Sequence, residues 1–222
     1  MLFLALIIAF MPALASCHGS VRYPPARNVL ANSNGCMDCL NAGGISEVFD
    51  YNIHRKQTAK YGVCGDPFNG PRDHEAGGKF AKRKIAGKFS AGQTVPITFE
   101  FSANHGGRMS VSLCVLPNGP MDSKRERSLT TQKCFDAHRL VRTDGSPYTY
   151  LLGTEKTVNA HYKLPKGVTC EHCVLQWFWI TGNSCCPPNT PAKFCEHGVD
   201  TCFRNWWNLP EEWWNCSDIQ IA

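Results

Sequence analysis

Apolar side chains occupy every second position in residues 93–101 and again in residues 109–115. A period of two places them on one face of a β-strand, so each stretch predicts a strand with one buried side. The connection between the two strands contains Gly106 and Gly107, which can adopt the backbone angles of a tight turn. His105 precedes these glycines, and we therefore predict that it lies in the connection, where its side chain can face a ligand.

The same kind of pattern predicts further strands at residues 148–152, 158–164, 174–180 and 216–221, separated by turn signals rich in Gly, Pro and Asn. No stretch sustains a helical period of 3.6 residues. Short strands at this spacing are typical of an antiparallel β-sandwich, so the predicted fold class is all-β. Residues 24–84 are rich in Gly, Asn, Pro and charge, and we expect a long, disulfide-pinned loop region with a short helix near residues 45–51.

The composition narrows the class of protein further. Hydrophobic residues make up 43% of the 222 residues and aromatic residues 11%, which excludes a disordered chain. The net charge of +5 is modest and spread along the chain, so we expect no nucleic-acid partner.

The N-terminus has the features of a signal peptide. An apolar run at residues 2–10 is followed by small residues, with Ala15 and Cys17 at the −3 and −1 positions of a cleavage site. The run is too short to cross a bilayer, and no later segment offers a membrane span. We therefore predict a signal peptide at residues 1–17 and a single secreted domain, a monomer, at residues 18–222 that begins with His18.

The cysteine count agrees with this cleavage. The chain has 13 cysteines, and removal of Cys17 leaves an even number, enough for six disulfides in an oxidising compartment. The pairing cannot be read from the sequence. An alternative is a zinc site made by the two Cys-x-x-Cys pairs, Cys36 with Cys39 and Cys170 with Cys173.

A histidine at the first position of a processed chain has two metal-binding groups, its α-amine and its imidazole Nδ1. The amine has an ordinary pKa of about 7.7–8.0, so a metal can displace its proton near neutral pH. With one more nitrogen from His105, His18 would form a planar, T-shaped set of three donors. Such a set favours copper, which tops the affinity order and accepts tetragonal geometry.

Four groups of motifs occur in order along residues 18–222. They are HGSV with PPARN (18–28), ANHGG with LC (103–114), LQWFW with GNSC (175–185) and PEEWWNCSDI (210–219). Together they resemble the lytic polysaccharide monooxygenases of the type once called chitin-binding type-4 domains. The resemblance implies an immunoglobulin-like β-sandwich, in agreement with the strand pattern.

The resemblance also implies a copper site. His18, through its amine and Nδ1, and His105 would hold one copper ion in the arrangement called the histidine brace. Ala103 matches a small residue that crowds one axial side of the metal. The aromatic residue of the opposite side stands five positions before the aspartate of the last motif, Asp218. That position holds Trp213, where many relatives have Phe or Tyr.

Two polar residues, Gln176 and Glu212, are the candidates that would position the reacting oxygen near the metal. The activity implied by the resemblance uses an external reductant and O2 or H2O2 as co-substrate. It hydroxylates C1 or C4 of a glycosidic linkage, and the linkage then breaks.

We expect the substrate to be pectin (homogalacturonan), with chitin or cellulose next. The chain has Arg22, Tyr23 and Arg27 near His18, and a basic surface attracts a polyanion. Residues 36–44 and 63–67 also resemble a pectin-active branch of the family.

Two other classes of function use the same features. A non-catalytic carbohydrate (chitin)-binding module would need the same fold, and a secreted copper-binding protein would need the same ligands. The residues alone leave these alternatives open.

Overall fold

Two β-sheets packed face to face form the body of the protein in the computed structural model, which describes residues 18–31, 37–49, 61–204 and 207–222. The strands are β1 (Ser20–Tyr23), β2 (Gly87–Phe89), β3 (Thr94–Glu100), β4 (Gly107–Val115), β5 (Val141–Arg142), β6 (Thr149–Leu151), β7 (Thr157–Lys163), β8 (Cys170–Ile180) and β9 (Glu212–Ile221). One sheet has the strand order β1-β3-β7-β5 and the other β2-β9-β8-β4-β6. The strand pairs are antiparallel except for β2 with β9. The predicted all-β sandwich is confirmed.

The helices are short and lie in the connections. They are α1 (Arg27–Ala31), α2 (Ile45–Val48), α3 (Ser123–Leu129), α4 (Gln132–Asp136) and a 3-10 turn at Ala192–Phe194. Side-chain caps start two of them: Asp122 accepts a hydrogen bond from the backbone of Arg125, and Thr131 accepts one from Cys134. The predicted helix near residues 45–51 is α2, although residues 50 and 51 lie outside the described ranges.

The core between the sheets follows the predicted alternation. The inward-facing apolar residues of β3 and β4 are buried, and they pack against Trp177, Trp179 and Trp213 of the two central strands β8 and β9. A second apolar cluster, which contains Phe135 and Val174, lies on the other face of the five-stranded sheet. Strands β8 and β9 are therefore buried on both faces, and in β9 this burial includes the polar residues Asn215, Ser217 and Asp218.

Disulfides tie the connecting segments to the sandwich. The pairs are Cys64–Cys216, Cys114–Cys134, Cys170–Cys173, Cys185–Cys202 and Cys186–Cys195. Cys39 is also disulfide-bonded. The bond between Cys170 and Cys173 removes both thiolates from the alternative zinc site, which is therefore wrong. The predicted signal peptide, with Cys17, and Cys36 lie outside the described residues.

Among the described residues, no helix is both long enough and apolar enough to cross a membrane.

Candidate metal centre

His18 lies just before β1, at one edge of the sandwich. Its backbone nitrogen donates a hydrogen bond to the carbonyl of Asp38 at 2.8 Å, and its carbonyl accepts one from the nitrogen of Ala103 at 3.3 Å. Gly19 follows, and a side chain there would meet the Phe101 ring at 2.7 Å. The start of this domain is thus packed closely against the end of β3, and Ala103 lies directly beside His18.

His105 lies in the connection between β3 and β4, as predicted. Its carbonyl accepts a hydrogen bond from Gly182, and the Asn104 side chain accepts one from the nitrogen of Gly106. Gly106 and Gly107 both have positive φ, and a Cβ on Gly107 would lie 2.2 Å from the carbonyl oxygen of Ile180. Only glycine fits at position 107 without movement of the backbone, so the tight start of β4 fixes where His105 stands.

The structure brings the two histidine side chains together, although they are far apart in sequence. Their ring centroids are 4.8 Å apart, with planes inclined by 52°. Glu211 joins them, since its Oε2 lies 3.7 Å from Nε2 of His18. Each of the three half-buried residues offers one ligand atom, and these atoms all lie within 4.8 Å of one another. One metal ion can therefore be reached from all three.

Burial and the nearby charges together lower the pKa of the His18 imidazole, which favours the neutral form that can bind a metal. Burial lowers its pKa, the nearby Glu211 opposes this effect and His105 adds to it, with a lowered pKa as the net result. The neutral imidazole keeps a free lone pair, which is the form that binds metals. Within the described structure Nδ1 of His18 is buried and has no hydrogen-bond partner. A buried polar atom without a partner is costly, and a metal ion at Nδ1 would satisfy it, so the residues fit a copper ion.

Trp213 forms one wall of this site. Its indole ring stacks on the His18 imidazole with centroids 4.4 Å apart, and it is 2% exposed. The ring continues into the core, where Trp179 lies 6.2 Å from it. The structure therefore places the aromatic residue singled out by the sequence in direct contact with His18.

The structure does not bring Gln176 to the histidines. Its side-chain nitrogen donates to the carbonyl of Val63 at 2.8 Å and also contacts the Gln132 side chain. Gln176 alternates along β8 with the core residue Trp177, so it faces the outer side of the five-stranded sheet. A residue that acts beside the metal would have to lie on the opposite, inward face of this sheet.

Glu212 lies on that outer side as well, because it is adjacent to the inward-facing Trp213 in β9. Its charge raises the pKa of Tyr61, an effect second to that of burial. The carboxylate beside His18 belongs instead to Glu211, which the sequence analysis missed. The alternation of faces along a strand could have identified Glu211, because in an extended chain Glu211 shares a face with Trp213 and Glu212 does not.

The comparisons with known proteins agree with this geometry. The profile of the family described as "Lytic polysaccharide mono-oxygenase, cellulose-degrading" matches residues 18–219. The structure is similar to that of the lytic polysaccharide monooxygenase AA15 from Thermobia domestica in the Cu(I) state, with 33% sequence identity and a TM-score of 0.68. This match covers 92% of this chain and 99% of that chain.

A chitin binding domain from Burkholderia pseudomallei also matches, at 15% identity and a TM-score of 0.47, over 92% of this chain and 99% of that one. No curated protein matches the chain. The profile match over residues 18–219, together with 33% identity to a copper-containing relative, shows that the chain belongs to the lytic polysaccharide monooxygenases.

Proposed function

We propose that this protein is a secreted, copper-dependent monooxygenase that cleaves a polysaccharide oxidatively, with His18 and His105 as the copper ligands. The observation that carries the proposal is the buried, unpartnered Nδ1 of His18 beside the ring of His105, in a chain of this family. A carbohydrate-binding module without metal would gain nothing from a buried nitrogen of this kind.

Processing of the chain is part of the proposal. Removal of residues 1–17 turns the backbone nitrogen of His18 into an α-amine. That nitrogen already donates to the carbonyl of Asp38, and an amine has a further position with which to bind a metal together with Nδ1. The Asp38 contact would then orient the amine and keep one of its protons engaged.

A copper ion held there would supply the chemistry that activates O2 or H2O2, with electrons from an external reductant. The chain would supply the geometry. His18 and His105 would hold the ion from different parts of the fold, and the Trp213 ring covers one face of His18 and excludes water there. Glu211 places a carboxylate oxygen 3.7 Å from His18, where it can accept or return a proton at Oε2 during the reaction.

The substrate is the finer part of the proposal, and homogalacturonan is its first candidate. The sequence predicts that Arg22 and Arg27 form part of a basic surface near His18. Arg27 is in fact 2% exposed and ion-paired with Asp218, and Arg22 pairs with Asp38 and Glu100. The preference for pectin therefore depends on the net charge of +5 and on the resemblance of residues 36–44 and 63–67, and not on these arginines.

The test uses the processed protein, loaded with copper, with ascorbate and H2O2. We expect oxidised oligosaccharides in the mass spectra from one of three substrates: homogalacturonan, chitin or cellulose. His105→Ala should lose the products and most of the copper affinity, whereas His161→Ala, an exposed histidine on β7, should lose neither.

Two results would contradict the proposal. Tight copper binding without oxidised products from any polysaccharide would identify a secreted copper-binding protein. Polymer binding that is unchanged by copper removal, again without products, would identify a non-catalytic module. Mass-spectrometric identification of His18 as the first residue of the secreted protein tests the processing step separately.

A further inference from the structure

We propose that a cavity on the outer side of the five-stranded sheet binds an acidic saccharide, at a site separate from the metal centre. The cavity has a volume of about 390 Å³ and lies between α1 and residues 79–84. Ligand pockets are commonly about 300–1,000 Å³, whereas one water takes up about 30 Å³. The cavity is thus large enough for a sugar ring.

The charge of the cavity wall is positive. Four cationic residues line it, against a single carboxylate, Asp218; they are Arg27, Lys79, Lys82 and Lys84. Arg27 and Asp218 neutralise each other, since Nε of Arg27 donates to Oδ2 of Asp218 at 2.9 Å and both are buried. The lysines are exposed. In the part of the chain that the structure describes, neither Lys82 nor Lys84 forms an ion pair. Their charges are available to a ligand anion.

Arg83 lies between the two lysines, and its charge is engaged elsewhere. Arg83 has a positive φ of 54°, which is uncommon for a residue with a side chain. Its Nε lies 3.0 Å from Oε2 of the fully buried Glu126, so the charge of Arg83 is paired with a carboxylate although 37% of its side chain is exposed. Lys82 and Lys84 flank it and remain outside.

The cavity also has an apolar wall, formed by Leu30 of α1 and by Phe80. The Phe80 ring is half-buried and contacts the ring of His74 at 4.9 Å. Lysines beside an aromatic ring suit a ligand that has both an anionic group and a C–H face, as a uronic acid residue does. A bare inorganic anion would leave the cavity-facing apolar surface of Leu30 and Phe80 uncovered.

The position of the cavity makes it independent of the histidines. Asp218 follows Trp213 by five residues on β9, a distance of roughly 16 Å along an extended strand. An odd separation puts the two side chains on opposite faces of the sheet, Trp213 toward the core and Asp218 outward. An acidic polymer held at the lysines would be tethered to the protein without occupying the metal centre.

The test measures the binding of trigalacturonate to the processed, copper-loaded protein at low salt by isothermal titration calorimetry. Exchange of two lysines for glutamine, Lys82→Gln with Lys84→Gln, should weaken binding about tenfold, since two exposed ion pairs with the ligand are lost. The matched control is Lys163→Gln with Lys166→Gln, which removes the same charge from exposed positions elsewhere and should weaken binding less than about twofold.

Further variants and ligands test which ligand binds and where on the protein it binds. Leu30→Glu, which adds a carboxylate to the wall, should weaken trigalacturonate binding as well. Neutral chitotriose and inorganic phosphate should bind much more weakly than trigalacturonate. His105→Ala should leave this binding unchanged, so failure of the copper proposal and failure of this one are distinguishable.

Several outcomes would overturn the proposal. Equal weakening by both lysine pairs would show attraction to the overall charge, without a site. Phosphate binding as tight as trigalacturonate binding would show a general anion site, and a loss of binding in His105→Ala would place the saccharide at the metal centre. Absence of saturable binding to the wild-type protein would end the proposal directly.

Discussion

The indole ring of Trp213 lies against the imidazole of His18, with 4.4 Å between the ring centroids and 22° between the planes. Trp213 also contacts Trp179 in the core. The residue proposed as the first copper ligand is thus held by the hydrophobic core itself, through one buried aromatic side chain.

Replacement of this side chain should change the metal site. We expect Trp213→Phe to cost about 1–2 kcal/mol of stability, less than the ~3–5 kcal/mol of truncation to alanine, because an aromatic ring remains. The smaller ring would uncover part of His18, and the electron paramagnetic resonance spectrum of bound Cu(II) should shift. Trp177→Phe is the control, with a similar loss of stability and an unchanged spectrum. Identical spectra for Trp213→Phe and Trp177→Phe would show that the Trp213 ring does not affect the bound metal.

The charge of Glu211 acts on His18 in the copper-free protein. It raises the pKa of the imidazole against the larger effect of burial. Glu211→Gln should therefore lower the His18 pKa further, as measured by a nuclear magnetic resonance titration. Glu212→Gln, one residue along and on the other face of the sheet, should leave it unchanged. A rise of the His18 pKa in Glu211→Gln would show that the carboxylate does not face the ring.

Gly107 and Gly145 provide a matched pair. Both have a φ of 83°, but a Cβ on Gly107 would meet the Ile180 carbonyl at 2.2 Å, whereas a Cβ on Gly145 would meet nothing within 4 Å. Gly145→Ala should cost about 1–2 kcal/mol, from backbone strain alone. We expect Gly107→Ala to cost more than about 3 kcal/mol in urea unfolding and to weaken copper binding, because the start of β4 must move and His105 with it. Equal costs would contradict the steric argument.

Because of Asp218, the protein should become less stable to unfolding at acidic pH. Burial opposes its ionisation, but hydrogen bonds from His172 and Arg27, together with their charges, hold its pKa below the ordinary 3.8. Its ionised form therefore stabilises the fold above the unfolded pKa, and this contribution is lost as the pH falls from there toward the folded pKa. The thermal unfolding midpoint of the wild-type protein should drop in this range.

The Asp218→Asn variant should show a weaker acid dependence. At neutral pH it should be about 3–5 kcal/mol less stable, because the buried Arg27 loses the closer of its two carboxylate partners and keeps only Glu126, at 3.4 Å. Asp144→Asn breaks an exposed pair with Arg142 and should cost less than about 1 kcal/mol. An acid profile in Asp218→Asn identical to that of the wild-type protein would contradict the assigned pKa shift.

The strands could be predicted because alternation in β3 and β4 reports directly on which face is buried. Helices α3 and α4 were missed, since a segment of five to seven residues is too short to show a helical period. In the candidate metal site, the two histidines could be predicted from a motif and from the expected cleavage before His18. Residue type alone does not show that Glu212 and Gln176 lie on the outer face of the sheet, whereas the alternation around Trp213 and Trp177 contains that information.

Strand β9 begins beside His18 and ends at Ile221, where Ala222 donates a hydrogen bond to the carbonyl of Phe89 in β2. The two ends of this strand are about ten residues apart, roughly 30 Å. For heterologous production, a labelling group attached at Ala222 is therefore remote from the histidines, whereas under the proposed processing any fusion ahead of His18 must be cut off completely before the purified protein can be loaded.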